Sequence, residues 1–174
     1  CVKVLNILRE AITMAEKTRE LVGEHVDELI GLLNKAYADE LIACFYYKTA
    51  AMLVKGIHAK TVAEQLEEIA NEELEHSEEL AERIIQLGGE PLDSWDAITK
   101  HANYPEVDIP KDRADYVGIL KVVHVAEQGA IGVYADLMKF LQTKVKDPTT
   151  FHLVRHIMGE EMHHEDEVET LLGL

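Results

Sequence analysis

Six residues stand out by type and spacing: Glu40, Glu73, His76, Glu127, Glu161 and His164. Each falls inside a run of apolar residues recurring at steps of three and four, the period at which side chains share one face of an α-helix. The stripes read Leu29, Leu33, Ala36, Glu40, Cys44, Tyr47; then Leu66, Ile69, Glu73, His76, Leu80, Ile84, Leu87; then Leu120, Val123, Glu127, Ala130, Tyr134, Leu137, Leu141; and last Val154, Ile157, Glu161, His164, Val168, Leu171. A carboxylate on such a face is carried into the core with it. Four of them meeting there repel one another and lose their hydration, which costs several kcal/mol per buried ion. Two divalent cations would cancel that cost, with the imidazoles as neutral nitrogen ligands, one per metal. Carboxylate and imidazole donors together suit iron or manganese; zinc, which takes fewer and softer ligands, is the third ion they would accept. The competing reading leaves the glutamates at the edges of their stripes, reaching solvent.

Repetition strengthens the metal reading. Glu73 and His76 stand three apart, and so do Glu161 and His164; Glu40 and Tyr47 stand seven apart, and so do Glu127 and Tyr134. Glu40 precedes Glu73 by 33 residues, and Glu127 precedes Glu161 by 34. The chain thus reads as two copies of one helical hairpin, each supplying two Glu and one His. Glu160 and His163 also have the three-residue spacing, but they lie off the Val154–Ile157–Val168 stripe, so Glu161 and His164 are the pair expected inside.

The elements that must position these residues are long helices. The spacing predicts a first helix from about residue 3 to 22, with Gly23 either breaking or softening it. A second is expected from about 24 to 55, stopping at Gly56. A third opens at Thr61, whose Glu64 three residues on completes a capping box, and ends at Gly88-Gly89. A short helix follows from Ser94 to about His101, with Trp95 expected to anchor this stretch by packing. Tyr104-Pro105 to Ile109-Pro110 must be extended, because proline disfavours a helical predecessor. The fourth long helix runs from about Arg113 to Lys144, and the fifth starts with Asp147 as N-cap and Pro148 in the first turn. Short links inside each pair make two antiparallel hairpins, joined by one long crossover from about 88 to 111. The expected fold is all-α: a four-helix bundle over 23–174 with an N-terminal helical extension over 1–22.

Bulk properties narrow the function classes. The formal net charge of -16 repels nucleic-acid phosphate and attracts cations, and no basic tail offsets it, so nucleic-acid binding is not expected. No stretch approaches the roughly 18 apolar residues of a membrane span. The two cysteines, Cys1 and Cys44, outline neither a disulfide framework nor a CxxC site, which fits a cytoplasmic location.

These residues carry a family likeness. Ala38-Asp39-Glu40 through Tyr47, followed by Glu73 to His76, resembles the first half of bacterioferritin, and Glu161, His164, Asp166 and Glu169 match that family's second motif. Ala126-Glu127 through Tyr134, and Lys146-Asp147-Pro148 to Leu172, look still more like Dps-like proteins with a bacterioferritin-type site. The resemblance covers about 140 residues and places the chain in the ferritin-like superfamily. It implies that Glu73 and Glu161 bridge two irons per subunit, that Glu40 and Glu127 are terminal ligands, and that His76 and His164 complete the shells. Tyr47 would hydrogen-bond beside the metals, unless it is an ordinary core tyrosine. The implied activity is ferroxidation, in which Fe(II) is oxidised by dioxygen or hydrogen peroxide and the ferric product is stored. Three departures bear on this. Dps-like relatives pair a Cys beside the glutamate matched by Glu127 with another in the crossover; here Gln128 and Gly129 follow Glu127 and the crossover has no Cys, so that thiol function is not expected. The position after Glu73 is Leu74, where bacterioferritins place a haem-binding Met, so no haem is expected. No fifth helix follows Leu174, which points to a homo-oligomeric shell of twelve subunits rather than a larger cage. A rubrerythrin-like peroxide reductase and a manganese catalase are the alternatives within the same fold.

The remaining polar residues make weaker cases. His152, His156 and His163, with Glu160, form a second stripe that is either a solvated face or a secondary metal route. His124, three residues before Glu127, is expected to pack in the core or beside that glutamate. Cys44 reads as a small buried hydrophobe.

Overall fold

The computed structural model describes residues 15–103 and 108–174. Among them the chain forms six helices: α1 (Glu16–Val22), α2 (Val26–Leu53), α3 (Ala59–Gln86), α4 (Trp95–His101), α5 (Tyr116–Thr143) and α6 (Pro148–Leu172). α2 packs along α3 and α5 along α6, and the short links between partners make each pair an antiparallel hairpin. The two hairpins close into a four-helix bundle, with α4 lying against α2 in the long crossover. The expected helix from about residue 3 is described only from Glu16 onward; its earlier part, and residues 104–107 of the proline segment, lie outside the described residues.

Local chemistry accounts for most helix ends. Gly23 adopts φ +89°, so it breaks the chain between α1 and α2 rather than softening one helix. Asp147 accepts from the backbone N–H groups of Thr149 and Thr150, both at 3.1 Å, and Pro148 follows it in the first turn. Ser94 Oγ accepts from Ala97 N at 3.3 Å and starts α4. The capping box expected at Thr61 does not form. Gly56, at φ +103°, turns the chain early, and Ala59 N–H donates to the Gly56 carbonyl at 3.2 Å, so α3 begins two residues ahead of Thr61. Glu64 is left on the surface, 3.6 Å from Lys60. Trp95 is also not the anchor of the crossover. It is 52% exposed and meets Phe45 edge-on, while Ile98 of the same helix is buried with Ala38 and Ile42.

The bundle interior is two apolar clusters. Leu29, Leu33, Leu80, Ile84, Leu137 and Ile157 belong to one, and Leu66, Ile69, Leu120, Val123 and Val168 to the other. Between them in each long helix stands the glutamate of its stripe, so the polar residues form a layer across the core. One further polar link joins the hairpins inside: Arg83 of α3 donates through Nη2 to Asp147 Oδ2 at 2.7 Å and through Nε to Thr150 Oγ1 at 2.7 Å.

Candidate metal centre

The six residues singled out by spacing converge in this layer. Glu40 on α2, Glu73 and His76 on α3, Glu127 on α5, and Glu161 and His164 on α6 are each 2% exposed or less. Their helices face them inward because the apolar residues a turn above and below must be buried. They form two donor groups: Glu40, Glu73, His76 and Glu161 in one, and Glu73, Glu127, Glu161 and His164 in the other, with the ligand atoms of each group within 4.8 Å of one another. Glu73 and Glu161 are common to both. His76 Nδ1 lies 3.1 Å from Glu161 Oε1, 3.6 Å from Glu73 Oε2 and 3.7 Å from Glu40 Oε2. His164 Nδ1 lies 3.4 Å from Glu127 Oε2 and 3.6 Å from Glu73 Oε1.

The atoms facing the middle of the layer are the ones without hydrogen-bond partners. Glu73 Oε2, Glu127 Oε2, Glu161 Oε1, His76 Nδ1 and His164 Nδ1 are all buried and unsatisfied. Leaving such groups unpaired costs about 1–3 kcal/mol each, and more for charged ones. All are metal-donor atoms, and a pair of cations between the two groups would satisfy the whole set. The residues present therefore fit a dinuclear metal centre.

Around this centre the outer atoms are held, and held crosswise. Tyr47 of α2 donates to Glu127 Oε1 of α5 at 2.5 Å, and Tyr134 of α5 donates to Glu40 Oε1 of α2. His76 of α3 pairs through Nε2 with Glu160 of α6 at 2.8 Å, and His164 of α6 pairs through Nε2 with Glu72 of α3 at 2.6 Å. A carboxylate at Nε2 keeps a proton on that nitrogen and turns Nδ1 toward the glutamates. The four contacts obey the pseudo-two-fold implied by the repeat. Tyr134, Glu72 and Glu160 were not among the expected site residues. The visible trace of the two glutamates is a doublet, Glu72-Glu73 and Glu160-Glu161, at matching positions of the two hairpins.

Without cations, protons hold the layer together. Burial, and then the negative charge of Glu40, pushes Glu73 up to about 8. Burial, with Glu73 and Glu40 close by, raises Glu161 well above the usual carboxylate range. Burial opposes ionisation of Glu40 too, but the close approach of Glu73 and His76 and the hydrogen bond from Tyr134 prevail and hold it low. Burial would lower His164, yet the carboxylates of Glu127 and Glu73 close beside it push it up to about 12, and His76 is raised in the same way by Glu161, Glu40 and Glu73. Burial beside Glu40 and Glu161 also raises the Tyr134 phenol, which stays protonated as a donor.

The weaker candidates separate. His156 lies 3.4 Å from Glu160 and so adjoins the centre through that residue, whereas His163 pairs with Glu167 at 3.3 Å on the surface. His152 lines a groove with Glu79 and Glu82. His124 is largely buried, and its Nε2 is 2.9 Å from Glu169 Oε1 on α6. Cys44 is half-buried rather than buried, and burial raises its thiol. No helix among the described residues is long and apolar enough to cross a membrane.

Comparison with known proteins identifies the fold family. The family model for a ferritin-like domain matches residues 30–174. The chain is similar to the DNA protection during starvation protein of Pyrococcus furiosus, 34% identical over 162 residues that span 91% of this chain and 86% of that one. It is similar to the bacterioferritin of Desulfovibrio desulfuricans, 29% identical over 79% of this chain and 70% of that one. Among solved structures it superposes on a bacterioferritin-related protein from Bacteroides fragilis, described as a dodecameric thioferritin, with a TM-score of 0.80 at 30% identity, covering 95% and 93% of the two chains.

Proposed function

The chain belongs to the ferritin-like family, and from that premise we propose that it oxidises Fe(II) at the intra-subunit dinuclear site and retains the ferric product, removing reactive iron and oxidant together. The observation that carries this reading is the set of five buried, unpartnered donor atoms facing one another between the two histidines. In it Glu40 and His76 serve one iron, Glu127 and His164 the other, and Glu73 and Glu161 serve both, which accords with their membership of both donor groups.

Iron is the substrate here. Two Fe(II) ions give up one electron each; hydrogen peroxide, for example, takes both with two protons and leaves as two waters. Hard carboxylate oxygens favour Fe(III) over Fe(II) and so draw the oxidation forward. The chain's own contribution is positional. Tyr47 and Tyr134 hold the outer oxygens of Glu127 and Glu40, which leaves the inner oxygens to the metals. Glu72 and Glu160 orient the two imidazoles and raise their basicity. The two apolar clusters above and below keep bulk water away from the layer.

The assembly proposed is a twelve-subunit shell, a reading supported by the Bacteroides fragilis relative, which is described as dodecameric. A net charge of -16 fits attraction of Fe(II) and argues that any protection of DNA comes from clearing iron and oxidant rather than from coating DNA. The test is aerobic addition of Fe(II) with ferric absorbance followed by stopped flow. The wild type should show a rapid phase absent from Glu73→Ala and His164→Ala. Equal rates in all three would refute the site. Gel filtration and iron retained per subunit separate a storing shell from a peroxide reductase that stores nothing.

A further inference from the structure

A second group of metal-donor side chains lies outside the centre, on the α5–α6 hairpin. His124 Nε2 stands 2.9 Å from Glu169 Oε1 and 3.8 Å from Glu165 Oε1, and the three donor atoms lie within 4.8 Å of one another. Donors bound to one ion at about 2.1 Å are separated by roughly 3.0–3.4 Å in tetrahedral or octahedral geometry, a range that the two imidazole–carboxylate distances bracket.

Three features set this group apart from an ordinary surface ion pair. Both carboxylates approach the same imidazole nitrogen, which has one proton to offer. Glu165, at 3.8 Å, lies beyond hydrogen-bond reach of that nitrogen and faces the like charge of Glu169 one turn away on α6, in a chain whose net charge is already -16. Gln128 of α5 donates to Glu165 Oε1 at 2.9 Å and holds that side chain over the interhelical seam. The group is also absent from the other hairpin, where the corresponding positions are Tyr37, Ser77 and Ala81.

We propose that His124, Glu165 and Glu169 bind one divalent transition-metal ion of the zinc, manganese or iron(II) class per subunit, as a third, mononuclear site. One imidazole with two carboxylates matches these ions, and the nitrogen donor disfavours calcium and magnesium. The three side chains are 16%, 26% and 39% exposed, so the remaining coordination positions are open to water and the ion exchanges with solvent. The site flanks the centre in the chain: His124 is one turn from Glu127 on α5, and Glu165 adjoins His164 on α6. It requires nothing of the redox chemistry at the dinuclear centre.

The test uses the assembled, full-length protein stripped with chelator and dialysed to equilibrium against Zn(II), with metal per subunit read by mass spectrometry. The Glu165→Gln/Glu169→Gln double variant should hold one zinc fewer than the wild type, and His124→Asn should show the same loss. A Glu73→Gln/Glu161→Gln variant, crippled at the centre, should keep a zinc that His124→Asn removes. Circular dichroism of the metal-free variants checks folding, and if the double variant does not fold, His124→Asn alone decides. Equal zinc content in wild type and His124→Asn, or no zinc anomalous-scattering peak between these three side chains, would overturn the proposal.

Discussion

Replacing Glu73 by Gln should make the metal-free protein more stable while disabling its metal chemistry. Glu73 is 1% exposed, and its folded-state value is pushed from 4.5 up to about 8 by burial and by Glu40. A group raised in this way contributes stability that is fully present below its unfolded value near 4.5 and is lost as pH climbs toward 8. At pH 7 the lost share is on the order of 3 kcal/mol, because each unit of pH between the two values is worth about 1.4 kcal/mol. At pH 5 it is below about 1 kcal/mol by the same linkage. A glutamine carries no such penalty. Its amide can still donate toward Glu40 and its carbonyl accept from His164, so the shape of the layer is kept. For a domain of this size the pH 7 difference corresponds to a rise in Tm of roughly 6–12 °C. The assay is thermal unfolding by circular dichroism of chelated wild type and variant, at fixed protomer concentration, at pH 5 and pH 7. Added metal should reverse the order, since the wild type gains binding free energy that the variant largely forfeits. A variant no more stable than wild type at pH 7, or a gap equal at the two pH values, would refute the claim that protons stand in for missing cations.

Three further outcomes are expected. Glu72→Gln and Glu160→Gln keep an amide oxygen for the imidazole but remove the charge, and should weaken metal binding by about 10- to 100-fold in a competitive chelator titration. Metal uptake should release protons, because Glu73 and His164, at about 8 and about 12 in the metal-free state, must be unprotonated to bind; calorimetry at pH 7 in two buffers of different ionisation enthalpy reads that release, and affinity should rise with pH. Arg83→Ala leaves Asp147 buried without its partner and should cost about 3–5 kcal/mol in denaturant unfolding. Because burial opposes ionisation of Asp147 but Thr150 and Arg83 hold it low, its stabilising contribution is present above 3.8 and fades as pH falls further in the wild type.

The one-dimensional chain determined a good deal here. A 3.6-residue period assigns each side chain to a face of its own helix, and the apolar residues on that face settle that it turns inward. Glu40, Glu73, His76, Glu127, Glu161 and His164 were legible for that reason, as was the all-α bundle of two hairpins and the start of α6 at Asp147-Pro148. The choice of Glu161 over Glu160 as the inward member of its doublet followed from the same periodicity.

What periodicity cannot specify is which side chain of another helix is met, since that depends on interhelical register and on how each hairpin closes. Only the tertiary structure therefore pairs Tyr134 with Glu40 rather than with its own-hairpin neighbours, sends Glu72 to His164 and Glu160 to His76, and brings His124 to Glu169. The same limit explains the capping box that failed at Thr61: Gly56 turned the chain two residues early, and a local motif yielded to the closure of the α2–α3 hairpin.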